Sequence, residues 1–96
     1  MVAELFDPAQ MPLTKQGVTE ELVEGELFLY DRKNDGAVHC LNGGAAIIWF
    51  LCDGTRNMTT IAAEIAAISD LPQEQILVEV QETVSQFKAL DLLESL

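Results

Sequence analysis

Residues Leu27 to Gly54 read LFLYDRKNDGAVHCLNGGAAIIWFLCDG, and this stretch decides the fold. Leu27 to Tyr30 is apolar and aromatic, Asn34-Asp35-Gly36 supplies residues that tolerate positive φ in a tight turn, and Ala37 to Leu41 resumes an extended run. That order predicts a β-hairpin. Asn42 stands where a side-chain oxygen can accept the free N–H groups of a first helical turn, and Ala45 to Leu51 is apolar almost all round before Asp53-Gly54 ends the helix. A helix apolar on every side is expected to be buried.

Upstream, Gly17 to Val23 suits a first strand with Val18 and Leu22 on one face, and Glu24-Gly25 turns the chain into a second strand, Glu26 to Asp31. In that second strand Leu27 and Leu29 oppose Phe28 and Tyr30, so both faces are apolar. The Phe28 and Tyr30 face calls for a cover: the N-terminal tail, the helices or a partner surface. Met1 to Gln16 holds Pro8 and Pro12 and no sustained period, which predicts an extended or flexible tail, or else a segment lying along a sheet edge. The third strand, Ala37 to Leu41, ends the meander. Its outer edge has unpaired backbone groups and neither Lys nor Pro to discourage pairing, so another part of the chain, a second copy in a homodimer or an incoming peptide can use it.

Downstream, Asn57 suits the N-cap of a second helix with Ile61, Ala62, Ile65, Ala66 and Ile68 turned inward. Asp70-Leu71-Pro72 breaks that helix and opens a last one, where Glu74 complements the positive end of the helix dipole. There Ile76, Val80, Phe87 and Leu90 form one stripe with Val84 at its margin. Leu77, Gln81, Val84 and Lys88 share a shoulder, either the edge of the core or the wall of a groove.

Ninety-six residues, 49% of them hydrophobic, suit one domain with a modest core. The longest apolar run, Ala45 to Cys52, is too short to cross a bilayer, and Glu4 and Asp7 stand where an export signal would be basic. A cytoplasmic protein with no membrane partner is the expectation. Five basic residues against sixteen acidic ones give a net charge of −11. After Arg56 only Lys88 is positive, so no nucleic acid partner is expected. The acidic field can attract a basic peptide or partner, or simply keep the protein in solution. Cys40 and Cys52, with His39 the sole histidine, leave a zinc site short of a donor, and both cysteines read as small core hydrophobes. No nucleophile, base and donor set converges, and no cofactor is implied. Gly43-Gly44 lacks the pattern of a phosphate loop, and close packing against the sheet is the expected reason for it.

The succession of Glu24-Gly25, ELFLYD, HCLN, AAIIWFLCDG, MTTIAAEIA and a final helix ending ALDLLE resembles the PqqD-like family over residues 17–96. Leu41-Asn42, Trp49 and Asp53-Gly54 carry most of the resemblance. It implies an α+β fold, a three-stranded antiparallel β-sheet followed by a three-helix winged helix-turn-helix core. It also implies a domain without catalysis that captures the leader segment of a ribosomally made precursor peptide as an added strand. The partner enzyme would be a modifying enzyme, such as a radical SAM enzyme, or a leader peptidase. The resemblance puts the peptide between the third strand and the last helix, against Val38, His39, Cys40 and Leu41 on one side and Leu77, Gln81, Val84 and Lys88 on the other. Asp91 departs from it, because such domains commonly have Gly before the closing Leu-Leu. The rival reading is a winged-helix module that acts in regulation through protein contacts or dimerisation and binds no leader peptide.

Overall fold

The computed structural model describes residues 7–33 and 36–95. Within them the elements run β1 (Leu13–Thr14), β2 (Val18–Val23), β3 (Glu26–Asp31), β4 (Ala37–Leu41), α1 (Gly43–Leu51), α2 (Met58–Ser69), α3 (Gln73–Ala89) and β5 (Leu93–Ser95). The three strands expected from sequence are therefore β2, β3 and β4. They form an antiparallel sheet in the order β2-β3-β4, with Leu22 opposite Leu27 and Leu27 opposite Leu41.

The β2–β3 hairpin closes through Glu24 and Gly25, whose φ values of 51° and 83° are both positive, as the right-handed twist of a two-residue hairpin requires. Gly36 has a φ of 73° in the next turn, and its N–H donates to the Asp31 carbonyl at 3.1 Å. Asn34 and Asp35, expected in the same turn, lie outside the described residues.

Alternation along β3 works as its sequence predicts. Leu27 and Leu29 are buried, and Tyr30 on the opposite face is exposed. Asn42 accepts from the Ala45 N–H at 2.9 Å and Asn57 from the Thr60 N–H at 2.7 Å, so both asparagines cap the helices they precede. Pro72 sits at the start of α3, where its missing N–H costs nothing. At the other end Asp91 adopts a φ of 59°, and the Leu92 N–H donates to the Phe87 carbonyl at 2.9 Å while that of Asp91 donates to Lys88 at 3.0 Å. This is a Schellman closure with the left-handed residue at Asp91 and apolar Phe87 and Leu92 packed across it.

The core joins the inner face of β3 and β4 to one side of each helix, with Trp49 edge-on to Phe87 at 5.4 Å between ring centres. Several sequence expectations fail at its margins. α1 buries Ala46, Ile48 and Trp49, but Ile47 and Phe50 are exposed at 43% and 53%, because a single helix packed on one side of a small sheet has no second layer to cover its far face. Ile68, expected inward, is 77% exposed, since α2 outruns the core by its last turn. On α3 the stripe is rotated from the predicted one: Val84 is fully buried at 0% and Leu90 is exposed. Cys40 points to the outer face of β4 and is exposed, whereas Cys52 is buried as expected. A methyl group at Gly43 would stand 3.8 Å from the Gly25 carbonyl oxygen, an ordinary contact, so close packing against the sheet does not explain that glycine.

The segment before β2 is more engaged than an unattached tail. Residues 1–6 lie outside the described part, but Pro12 is fully buried, β1 pairs with β5, and the Thr14 and Lys15 N–H groups donate to the Cys52 and Leu92 carbonyls, each at 3.0 Å. The Lys15 ammonium reaches the buried Asp31 carboxylate at 2.7 Å. That bond holds the Lys15 pKa above its ordinary value despite the opposing effect of desolvation. This strap joins the segment before β2 to the one after α3 and to the end of β3.

Candidate functional site

β4 is the natural place to look for a docking edge. It pairs with β3 on one side, and no described strand pairs with it on the other. Its side chains divide by the pleat. His39 and Leu41 face inward opposite Leu29 and Leu27; Val38 and Cys40 face outward opposite Tyr30 and Phe28. The outward pair, with Tyr30, makes an exposed apolar face that no described element covers. The Cys40 thiol donates to a Glu26 carboxylate oxygen at 3.4 Å, and desolvation, then this carboxylate, raises its pKa. An anionic neighbour makes Cys40 a poor nucleophile.

The four α3 residues named from sequence are not equally available. Leu77 is half-buried against the core, Gln81 is buried, Val84 is fully buried and Lys88 is exposed. Val84 thus cannot act as an open groove wall while the core keeps this packing.

A concave surface of about 470 Å³ opens on the opposite shoulder of α3, the side of Glu79, Thr83 and Gln86. Ile47 and Ile48 of α1, Ile65 of α2 and Ile76 of α3 give it apolar walls, and Glu79 and Glu82 stand at it from α3. Asn42 and Gly44 belong to the lining too, so the cleft begins where β4 hands over to α1. Sequence reasoning missed it because it requires three helices to leave space between them. The available signal was the apolar outer face of α1, which has no counterpart to bury it.

Hydrogen bonds and ion pairs hold the α1–α2 connection to itself and to α2. Asp53 accepts from the Thr55 hydroxyl at 2.6 Å and from its N–H at 3.0 Å, and Arg56 bridges Asp53 at 2.7 Å and Glu64 at 2.9 Å. The Thr55 hydroxyl, its N–H and the Arg56 guanidinium together hold the Asp53 carboxyl below the usual carboxylate range. Next to it, burial pushes the Cys52 thiol up to about 12, with the charge of Asp53 adding to the effect. Among the described residues no group of three or more His, Cys, Asp or Glu side chains could hold a metal ion, and no helix is long and apolar enough to cross a membrane.

Fold and surface together define a small α+β domain in which an open sheet edge stands beside a three-helix layer. The chain belongs to the PqqD family: the family model described as Coenzyme PQQ synthesis protein D (PqqD) matches residues 19–93. A solved structure, TbiB1 in complex with the TbiA(beta) leader peptide, superposes with a TM-score of 0.74 at 17% sequence identity, over 85% of this chain and 94% of that one. At that identity the likeness speaks for the fold. No curated protein matches the chain.

Proposed function

We propose that this domain is a non-catalytic recognition element that binds the leader segment of a ribosomally synthesised precursor peptide and presents it to a modifying enzyme or leader peptidase. The observation that carries the reading is the open outer edge of β4 in a chain of the PqqD family. The solved neighbour, itself in complex with a leader peptide, supports it. The peptide would add as a strand to Val38, His39, Cys40 and Leu41, with Leu77, Gln81 and Lys88 of α3 beside it and Val84 supporting them from beneath. Backbone bonds of this kind contribute about 0.5 to 1.5 kcal/mol each and fix register, while apolar anchors set affinity. In the same reading β2–β4 is the wing and α2–α3, joined through Asp70-Leu71-Pro72, the helix-turn-helix of a winged helix.

The test is an amide chemical-shift titration with the leader segment of a precursor encoded beside this protein. Saturable shifts centred on Val38–Leu41 and α3 are expected, and Lys88→Glu should weaken binding without changing the melting temperature by more than a few degrees. Shifts that spare both Val38–Leu41 and α3 would move the site, with the Phe28 and Tyr30 face the next place to look. An absence of saturable binding would sink the reading.

A further inference from the structure

The cleft on the far shoulder of α3 has features that strand addition at β4 does not use. Its walls are Ile47, Ile48, Ile65 and Ile76, and the charged groups that line it are two carboxylates, Glu79 and Glu82, three residues apart and therefore on adjacent positions of the α3 surface. No basic side chain lines it. The apolar surface also continues outward by helical spacing: Phe50 follows Ile47 by three residues on α1, and Ile68 follows Ile65 by three on α2, both largely exposed. An aliphatic pocket edged by two carboxylates, in a chain of net charge −11, complements an apolar side chain with a cationic neighbour.

Antiparallel addition continues the pairing that this sheet uses throughout. A strand added antiparallel to β4 runs from the Leu41 end towards the Ala37 end, so the peptide residues just N-terminal to the added strand pass Asn42, where the cleft begins. We infer that this cleft is a specificity pocket, in which Glu79 and Glu82 select a leader whose segment immediately upstream of the added strand carries an aliphatic or aromatic residue next to a Lys or Arg. The inference rests on the leader-binding reading and names the class of leader that is accepted. The apolar side chain enters between Ile47 and Ile76, displacing water from a pocket large enough for one or two side chains. The cation remains at the rim, partly solvated, where it adds selectivity and association rate more than affinity.

The experiment is selection from a displayed library of random dodecapeptides on the full chain, repeated on Glu79→Gln/Glu82→Gln. A control variant, Glu21→Gln/Glu74→Gln, removes the same charge from surfaces outside the cleft. Circular dichroism melts confirm that all three proteins are folded. On the parent and the control, selected peptides should be enriched in Lys or Arg adjacent to a large apolar residue, on the N-terminal side of a β-forming stretch. In anisotropy titrations such peptides should bind the Glu79→Gln/Glu82→Gln protein about three- to tenfold more weakly, as two rim ion pairs allow. Their binding to the parent should fall with added salt. Peptides that bind well but show no basic enrichment, or lose nothing with the two glutamates neutralised, overturn the pocket and leave leader binding standing. A library that yields no binder at all, together with a silent titration against the neighbouring leader, overturns both.

Discussion

Asp91 shows how one residue can depart from the usual solution and still fulfil its structural role. Its φ of 59° is a position that glycine fills without a Cβ penalty, and Asp occupies it because a short polar side chain tolerates the left-handed region better than most. The closing hydrogen bonds form with Asp in place and its exposed carboxylate lies 3.5 Å from the Lys15 ammonium, a solvated ion pair of small worth, so the cost of Asp here is mainly conformational. Asp91→Gly is expected to raise stability by up to about 1 kcal/mol, read as a higher urea midpoint with unchanged slope. Glu24, at a φ of 51°, offers the same opportunity. The two cysteines differ by their surroundings. A thiol reagent should modify the exposed Cys40 slowly in the native protein, at a rate that rises with pH, and reach Cys52 only on unfolding, because burial both hides the Cys52 sulfur and pushes its pKa to about 12. Asp53 sets a pH dependence. Its folded pKa lies below its unfolded one, so its contribution to stability is present above the usual carboxylate range and disappears as pH falls through the lowered value. Asp53→Asn should therefore melt lower than the parent at neutral pH, and the two melting curves should converge in strong acid.

At the scale of elements, α1 and α3 decide how the helices meet the sheet. Trp49 is buried, stacks edge-on against Phe87 and donates from its indole N–H to Glu20 on β2, so it joins α1 to both α3 and the sheet. Trp49→Ala should cost about 3 to 5 kcal/mol and leave the protein unfolded or aggregating. Val84 belongs with it. Sequence spacing put Val84 at the margin of the stripe, but the residue lies fully buried in the same core as Val80 and Phe87. Val84→Glu should lose more than about 4 kcal/mol of stability, because it places an unpaired carboxylate among apolar side chains. Loss of peptide binding in that variant would report unfolding, which a melting curve would reveal.

For the molecule as a whole, charge limits the partners. Of its five basic residues, Lys15 is engaged by Asp31 and Arg56 by Asp53 and Glu64. Duplex DNA should show no salt-sensitive binding in an anisotropy titration at about 0.15 M salt. Micromolar binding that weakens with salt would contradict this.

The residues alone determined the parts whose signals are local. The Glu24-Gly25 turn, the alternation of Leu27 to Tyr30, the caps at Asn42 and Asn57 and the break at Pro72 each depend on chemistry within a few positions of the chain. They account for the three strands of the meander and the three helices, but not for the short β1 and β5. Only the tertiary structure decided which faces are covered. The same apolar pattern in α1 buries Trp49 and exposes Phe50, because burial depends on how many layers the whole chain can build. The side of α3 that faces the core, the strap from Lys15 to Asp31 and the cleft beside Glu79 all depend on contacts between segments far apart in sequence. A helical wheel records the spacing of such residues but carries no information about the neighbour that each will meet.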